Sequence, residues 1–290
     1  MRVLILGAGG MLGHKLWQVF QDRFETWGTV RGRSGDFLAL AEPSLRRIIQ
    51  GTDAANMDSV ISALARARPD AVVNCIGIIK QLPEAKDRLT SILINSLFPH
   101  RLAQLCMAAG TRLIHVSTDC VFSGRKGNYR EDDFPDADDL YGRSKFLGEV
   151  TGDGCLTMRT SIVGRSLHPG PALIDWFIGQ RSKSANGYAR VMYSGLTTLA
   201  LAEVMADVVE NHSQLSGLWH VSSDPISKYD LLGLVNRAFD LGVEIRKDED
   251  TVSDRSLDSS RFRQATGYRP PTWPEMVVQM AKDSNQYERK

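Results

Sequence analysis

Residues 2–13 read RVLILGAGGMLG, a continuous apolar run that leads directly into glycines at positions 7, 10 and 13. An apolar run without alternation is typical of a strand that is buried on both faces. The segment MLGHKLWQVFQ that follows has apolar residues at helical spacing. Because glycines let the backbone approach a pyrophosphate at a helix N-terminus, this strand, turn and helix predict a dinucleotide-binding turn. A tight turn with a purely structural role is the alternative.

The alternation of strand-like and helix-like segments continues to about residue 160. Strand-like segments are ETWGTVRG, DAVVNCIG, TRLIHVST and CLTMRTSIVG, and helix-like segments are DSVISALARARP, ILINSLFPHRLAQLCMAAG and LYGRSKFLGEV. This pattern predicts an α/β fold, a Rossmann-type doubly wound parallel sheet with helices on both faces. It predicts no element for residues 36–50.

After about Gly164 the pattern loosens. Three helices are predicted in SLHPGPALIDWFIGQ, LALAEVMADVVENH and YDLLGLVNRAFDLG, with one strand in GLWHVSS and a final helix in TGYRPPTWPEMVVQM. We therefore expect an NADP-binding Rossmann domain at residues 1–163. A smaller, substrate-binding C-terminal lobe would occupy residues 164–290, with the chain free to cross back between the two.

Composition excludes several classes of protein. The formal net charge of the 290 residues is +1, which gives no sign of a nucleic acid or a membrane surface as a partner. The chain contains no apolar run of transmembrane length, and its first apolar run leads into the glycines rather than into a cleavage site. These features predict a cytoplasmic protein. The four cysteines form no C-x-x-C pair, so neither a zinc site nor a disulfide framework is expected.

The end of the second predicted strand bears on the choice of cofactor. Arginine accommodates the 2′-phosphate of NADP, whereas a carboxylate binds the 2′-hydroxyl of NAD. Arg31 and Arg33 lie at this end and favour NADP(H) over NAD(H), although Asp36 follows and both arginines could be solvated. Asp53 is either a contact to the adenine or a structural cap. The residues predicted to contact the cofactor are Gly7, Gly10, Met11, Leu12, Gly13, Arg31, Arg33, Asp53, Cys75, Ile76, Gly77, Tyr141 and Lys145.

A phenol and an ammonium group share one face of a predicted helix. Tyr141 and Lys145 are four residues apart in DDLYGRSKFLGE, residues 138–149. Alone, this spacing is usually a surface pair, but Ser117 and Thr118 end a central strand at the edge where such sheets bind ligands. We expect Thr118 to hydrogen-bond a substrate carbonyl and Tyr141 to protonate it. Lys145 would lower the pKa of the phenol and bind the nicotinamide ribose.

These motifs resemble the extended short-chain dehydrogenase/reductases. STDCVFSGRKGNYREDD, YGRSKFLGE, MRTSIVG and SDRSLDSSRF resemble more narrowly the dTDP-4-dehydrorhamnose reductase group. The resemblance covers nearly the whole chain. It implies reduction, by a nicotinamide cofactor, of the 4-keto group of a nucleotide-diphosphate-linked 6-deoxyhexose, in deoxysugar or polysaccharide biosynthesis. It places the catalytic groups on Thr118, Tyr141 and Lys145, and gives Asn95 a structural role.

The chain departs from this group where the sugar would lie. Cys120 stands in place of a tyrosine, Ile162 in place of a tryptophan, and residues 78–85 differ from the usual loop. We therefore expect the same reaction class, with dTDP-4-dehydrorhamnose and another nucleotide-linked 4-keto-6-deoxyhexose, such as an N-acetylated one, as equal candidates for the substrate. Arg181 and Arg190 are further candidates for the diphosphate, since arginine binds it bidentately, although ordinary surface charge is the simpler interpretation. The residues predicted to contact the substrate are Lys80, Asp119, Cys120, Ile162 and Arg165.

Other functions remain open at this point. A sugar-nucleotide epimerase uses the same tyrosine and lysine but usually prefers NAD, and a non-catalytic NADP-binding regulatory subunit is known in the wider family. The resemblance also implies a homodimer. In the group, an acidic residue two positions after the third glycine holds a bridging magnesium ion. Lys15 occupies that position and would repel the ion, so no metal is expected.

Overall fold

A computed structural model describes residues 1–32, 37, 44–80, 83–167, 172–284 and 287. The expected cofactor contact of Arg33, and Asp36 beside it, lie outside the described residues. Within the described ranges we find no helix with the length and apolar character that a membrane crossing requires.

The strands fall into one large sheet and two small ones. In chain order they are β1 Arg2–Leu6, β2 Glu25–Val30, β3 Ile48–Gln50, β4 Ala71–Asn74, β5 Arg112–Thr118, β6 Cys155–Thr160, β7 Ile162–Val163, β8 Ser184–Tyr193, β9 Leu196–Thr197, β10 Gly217–His220, β11 Ile226–Ser227 and β12 Glu244–Asp254. The large sheet has the order β10-β6-β5-β4-β1-β2-β3, and its neighbouring strands pair in parallel.

Several of the helices begin at polar caps that the sequence supplies. They are α1 Gly13–Phe20, α2 Met57–Ala67, α3 Arg88–Ser91, α4 Phe98–Ala108, α5 Leu140–Leu147, α6 Leu173–Ile178, α7 Thr198–Asn211, α8 Lys228–Ala238, α9 Ser260–Thr266 and α10 Trp273–Asp283. A π-helical segment, Ile92–Leu97, joins α3 to α4. Asn56, Asp139 and Ser227 accept backbone N–H bonds at the starts of α2, α5 and α8, which satisfies donors that have no partner within the helix.

The two faces of the large sheet are covered by different helices. Side chains of β1 alternate between two apolar cores: Val3 and Ile5 belong to the core that includes α1 and α7, and Leu4 and Leu6 to the core that includes α2 and α4. A strand buried on both faces explains why its sequence is continuously apolar. The predicted doubly wound α/β fold is confirmed.

The smaller lobe contains a mixed three-stranded sheet of order β11-β8-β12. In it β11 pairs with β8 in the antiparallel direction, and β12 pairs with β8 in the parallel direction. The sequence analysis did not predict β8 or β12, because most residues of β12 are charged or exposed and its extended form depends on pairing with β8. The segment GLWHVSS contains a strand, β10, as predicted. This strand joins the edge of the large sheet beside β6 and not the sheet of the smaller lobe. Helix α7, from the same half of the chain, packs on α1. The chain thus crosses back into the first unit, and the boundary between residues 163 and 164 remains a prediction.

Candidate active site

The glycine turn between β1 and α1 is packed too closely for side chains. Gly7 has a φ of +80°, and the Gly10 N–H donates to its carbonyl oxygen at 3.0 Å. A Cβ on Gly13 would lie 2.1 Å from that same oxygen. The turn therefore keeps a bare backbone at the carboxyl edge of the sheet and the start of α1, which is the form that a pyrophosphate requires. Of the other two residues predicted there, Met11 is partly buried and Leu12 packs into the core.

The turn after β4 lies between the glycine turn and the lysine of α5. A Cβ on Gly7 would be 3.1 Å from a side-chain carbon of Ile76, and a Cβ on Gly77 would be 3.8 Å from the Lys145 Nζ atom. Burial raises the pKa of the Cys75 thiol to about 12, so it stays protonated near neutral pH. The structure thus brings together the two turns that were predicted to contact one cofactor.

The far end of the predicted cofactor site is more open. Arg31 is exposed just after β2, where its guanidinium is accessible. The Asp53 carboxylate accepts the Ala55 N–H at 2.9 Å, which is the geometry of the structural cap. Its contact to an adenine remains a prediction.

Three predicted residues follow one another at the end of β5. The Thr118 hydroxyl donates to the Asp119 carboxylate at 3.1 Å and accepts the Cys120 N–H at 3.1 Å. Burial raises the pKa of the Asp119 carboxyl, against the opposing charge of Arg255. Burial also raises the pKa of the Cys120 thiol, to about 12. The Thr118 hydroxyl is therefore held in place on two sides.

Helix α5 presents the phenol to this hydroxyl. Asp139 caps the helix by accepting the Gly142 N–H at 2.8 Å, and the partly buried Tyr141 phenol lies near the Thr118 hydroxyl, which acts to lower its pKa. Burial raises the pKa of Tyr141, with smaller contributions from Cys120 and Asp119. The sequence argument expected a lowered pKa, and this expectation was wrong for the described residues, because burial of the phenol, which penalises the charged phenolate, is the largest influence on its pKa.

Lys145 lies one turn further along α5 and is buried. Its Nζ atom donates to the Val116 carbonyl oxygen at 2.8 Å. Desolvation lowers the pKa of the Lys145 ammonium to about 8, although Glu149 and Cys75 act in the opposite direction. The lysine is thus mainly charged at neutral pH and has further N–H donors beyond the one that binds Val116.

Asn95, in the π-helical segment, supports this arrangement from behind. Its side chain pairs with the backbone of Ile78, accepting the N–H at 2.8 Å and donating to the carbonyl at 3.1 Å, and donates to the Ser144 hydroxyl at 3.2 Å. It therefore ties the loop after β4 to α5. The structural role that the resemblance implied for Asn95 fits these contacts.

The residues predicted to contact the substrate lie in different parts of the structure and have different partners. Lys80 pairs with Asp139 at 2.7 Å across the entrance to α5, and Ile162 lies partly buried on β7. Arg165 pairs with Asp175 of α6 at 2.6 Å. Arg181 donates to the carbonyl oxygens of Phe239 and Asp240 after α8, so its guanidinium is engaged with the backbone of the smaller lobe. Arg190 is exposed on β8.

Sequence reasoning did not identify two groups that adjoin the site. Arg255, after β12, donates to the Phe122 carbonyl at 2.8 Å and lowers the pKa of both Asp119 and Cys120 by its charge. Arg255 belongs to SDRSLDSSRF, a segment already recognised for its resemblance to the family. Nothing in the local sequence indicated that its side chain reaches residues 119–123. The second group is a buried pair in which Arg159 binds Glu149 through two 2.8 Å bonds, while Ser117 donates to Glu149 at 2.7 Å.

Within the part of the chain that the structure describes, no cluster of three or more histidine, cysteine or acidic side chains could hold a metal ion. Lys15, which occupies the position of the family's acidic residue, forms a buried ion pair with Asp283 of α10. The prediction that the protein binds no metal remains a prediction.

The family described as RmlD substrate binding domain matches residues 1–286. SpsK, a spore coat polysaccharide biosynthesis protein of Bacillus subtilis, is 27% identical over an alignment that covers 95% of each chain. Methionine adenosyltransferase 2 subunit beta of Danio rerio is 32% identical over 149 residues, which are 51% of this chain and 42% of that protein. A dTDP-4-dehydrorhamnose reductase of Streptomyces griseus is 35% identical over 149 residues, 51% of this chain and 43% of the relative.

Solved structures share the fold over nearly the whole chain. A hypothetical dTDP-4-dehydrorhamnose reductase of Sulfolobus tokodaii has a TM-score of 0.78 and 25% identity, covering 96% of this chain and 100% of the other. The dTDP-4-dehydrorhamnose reductase of Bacillus anthracis in complex with NADP has a TM-score of 0.78, with 19% identity and coverages of 97% and 99%. WbmH of Bordetella bronchiseptica in complex with NAD⁺ has a TM-score of 0.79, with 20% identity and 99% coverage of each chain.

Proposed function

This chain belongs to the RmlD substrate binding domain family, and from that premise we propose that it reduces the 4-keto group of a nucleotide-diphosphate-linked 6-deoxyhexose. The reaction would use a nicotinamide dinucleotide and would serve deoxysugar biosynthesis. The relatives SpsK and dTDP-4-dehydrorhamnose reductase, named for polysaccharide biosynthesis and for sugar-nucleotide reduction, support the proposal.

One observation carries the proposal. The Tyr141 phenol lies near the Thr118 hydroxyl at the carboxyl edge of the sheet, and Lys145, whose ammonium is bound to the Val116 carbonyl, lies one helical turn from Tyr141 on the same helix. A carbonyl oxygen that accepts from the phenol, and from the Thr118 hydroxyl once its proton turns away from the Asp119 carboxylate, would lie beside the turns at residues 7–13 and 75–77. This is the arrangement that a carbonyl reduction requires.

The chain's own residues would hold the carbonyl and deliver one proton. Tyr141 keeps its proton near neutral pH, because burial raises its pKa. As negative charge develops on the carbonyl oxygen, the phenol gives up that proton, since an alkoxide is a stronger base than a phenolate. The Thr118 hydroxyl, fixed by the Cys120 N–H, orients the oxygen. The hydride to the carbonyl carbon would come from a reduced nicotinamide held by the turns at residues 7–13 and 75–77.

Lys145 would act on both sides of this step. The ammonium stabilises the phenolate that remains after proton transfer, and its free N–H donors can bind ribose hydroxyls. The bond to the Val116 carbonyl fixes the position of Nζ, so the lysine is oriented before any ligand binds. This preorganisation is what makes an electrostatic contribution effective.

A preference for NADP(H) is part of the proposal. Arg31 lies exposed immediately after β2, at the end of the strand where a 2′-phosphate would be bound. Arginine can bind such a phosphate with two parallel hydrogen bonds. The cytoplasmic location and the homodimer remain predictions beside it.

The test is oxidation of NADPH in the presence of a panel of 4-keto sugar nucleotides that vary in the base and in the substituent at C2. We expect turnover with at least one member, and a reduced sugar in an amount equal to the NADPH consumed. Cofactor that is bound but not consumed, with interconversion of two sugar nucleotides, would instead establish an epimerase. The Tyr141→Phe protein serves as the control for background oxidation.

A regulatory subunit is the second candidate, because the relatives include methionine adenosyltransferase 2 subunit beta, which matches 51% of this chain. In that case the protein would bind the dinucleotide without turnover on any member of the panel. The nearby Thr118 hydroxyl and Tyr141 phenol, with the buried Lys145, weigh against it, since binding alone does not need them.

A further inference from the structure

The end of the chain packs against the helix that follows the glycine turn. Tyr287 lies beside His14 and Lys15 of α1, and Asp283, at the end of α10, forms an ion pair with Lys15. The Lys15 Nζ atom and the Arg165 guanidinium each lie 5.0 Å from the centre of the Tyr287 ring. One tyrosine thus contacts the start of α1 and the segment that leads into the smaller lobe.

His14 connects this tyrosine to the glycine turn itself. Its Nδ1 atom lies 2.8 Å from the Gly10 carbonyl oxygen, and its Nε2 atom lies 2.6 Å from the Tyr287 hydroxyl oxygen. A carbonyl oxygen can only accept, so Nδ1 carries the proton. Nε2 is then an acceptor, and the Tyr287 hydroxyl donates to it. Burial lowers the pKa of His14 to about 4, which keeps the ring in this neutral form.

The Gly10 carbonyl is held by two donors from the same residue. Besides Nδ1, the backbone N–H of His14 donates to it at 3.1 Å. A carbonyl oxygen that turned toward a pyrophosphate would repel it, whereas one that is bound on the helix side leaves the N–H groups of the turn to face the anion. The imidazole makes its bond to Gly10 in the orientation in which its Nε2 atom also meets the Tyr287 hydroxyl.

We propose that Tyr287 is a positioning residue for the cofactor turn, acting through His14 on the Gly10 carbonyl, and that it thereby sets the affinity for nicotinamide dinucleotides. The inference rests on the proposed binding of such a cofactor. Without the Tyr287 hydroxyl, the buried Nε2 atom loses its donor, the ring is free to reorient, and the fraction of molecules with a competent turn falls. Apparent affinity falls by the same fraction.

The test compares Tyr287→Phe with the wild type by measuring dissociation constants for NADPH and for NADH, using quenching of tryptophan fluorescence. Tyr268→Phe is the matched control, because it removes another buried phenol whose hydroxyl has no hydrogen-bond partner among the described residues. We expect both dissociation constants to rise about three- to tenfold in Tyr287→Phe, the range for one lost hydrogen bond, with their ratio unchanged. Tyr268→Phe should stay within about twofold of the wild type.

Two results would overturn the proposal. Unchanged dissociation constants in Tyr287→Phe would leave the tyrosine a contributor to stability alone. Weakening of NADPH without weakening of NADH would show that the effect arises at the 2′-phosphate and not at the pyrophosphate turn. Failure of the wild type to bind either dinucleotide is a separate outcome, since it would remove the proposed function as well.

Hydrogen exchange provides a second measurement that needs no ligand. In Tyr287→Phe the amide of His14, which donates to Gly10, should exchange faster than in the wild type, while the amides of α4 keep their rates. Equal protection of the His14 amide in both proteins would also contradict the proposal. Should Tyr287→Phe fold poorly, Tyr287→His keeps an aromatic ring with a donor and should show a smaller increase in both dissociation constants.

Discussion

The proposed catalytic groups and the predicted substrate contacts are fixed in the structure in different ways. Among the proposed catalytic groups, Thr118 and Lys145 are buried and bound to the backbone, through the Cys120 N–H and the Val116 carbonyl. On the substrate side, Lys80 and Arg165 are more exposed and are paired with the carboxylates Asp139 and Asp175. The first group is fixed before any ligand binds, and the second must exchange partners to bind one.

The two ion pairs on the substrate side also differ from each other. The side chains of Lys80 and Asp139 are 53% and 30% exposed, whereas those of Arg165 and Asp175 are 15% and 13% exposed. Exposed pairs contribute about 0–1 kcal/mol, so Lys80 can leave Asp139 for a diphosphate at little cost. Arg165 also stacks on Tyr287 and is therefore the weaker candidate for the substrate. The comparison indicates that the chemistry is built rigidly and that substrate choice depends on adaptable groups.

The largest effect is expected from Tyr141→Phe. This change removes the hydroxyl that would donate the proton and keeps the ring, so turnover should fall by about 10²–10⁴-fold while NADPH affinity stays the same. Single-turnover oxidation of NADPH with the active 4-keto sugar measures the first quantity and fluorescence titration the second. Near-normal rates in this variant would end the proton-donor assignment and place the regulatory function first.

Lys145→Met should damage both turnover and cofactor binding, since the lysine serves both. The lysine is a cation below its pKa, which burial lowers to about 8, so kcat/KM of the wild type should decline as pH rises through about 8. The methionine variant should lack this decline, because the titrating group is gone. Profiles of kcat/KM from pH 6 to 10 for the two proteins provide the measurement. A decline that persists in the variant would assign it to another group.

The sequence predicted the fold correctly and supplied the candidate catalytic groups for the same physical reason. Strand β1, the glycine turn and the Tyr141–Lys145 spacing are local patterns, and local patterns are visible in a sequence. The raised pKa of Tyr141, the reach of Arg255 into the 119–123 segment and the contact of Tyr287 with His14 depend on packing between distant parts of the chain. Strand β12 was not predicted for the same reason. Its extended conformation comes from pairing with β8 and not from the pattern of its own side chains.

A smaller effect is expected on the relative affinities for NADPH and NADH when the two arginines after β2 are changed. Arg31→Ala combined with Arg33→Ala should weaken NADPH far more than NADH, because charge-assisted hydrogen bonds of about 1.5–3 kcal/mol each would be lost only where the 2′-phosphate is present. Dissociation constants for the two dinucleotides, measured at one ionic strength, test this. The Tyr287→Phe protein is a useful contrast, since its two constants should rise together. Equal weakening of both cofactors by the arginine changes would remove the basis for the NADP preference.

The smallest effect is expected where the chain departs from the family, at Cys120. Burial raises the pKa of its thiol to about 12, so the residue is neutral near pH 7 and lacks the thiolate that a nucleophile needs. Its two evident roles belong to the backbone: its N–H fixes the Thr118 hydroxyl, and its carbonyl oxygen packs so closely on α5 that a Cβ on Gly142 would lie 2.2 Å away.

Cys120→Ser preserves both of these backbone contacts and nearly preserves the volume of the side chain. Its turnover should therefore stay within about threefold of the wild type, a change of under about 1 kcal/mol in the activation free energy. Gly142→Ala is the matched control, because its methyl group must displace the Cys120 carbonyl and with it the Thr118 hydroxyl, so turnover should fall much further. Steady-state rates with saturating NADPH compare the two. Complete loss of activity in Cys120→Ser, with NADPH binding intact, would make the thiol a participant in the reaction. A residue predicted to contact the substrate would then belong with the fixed catalytic groups.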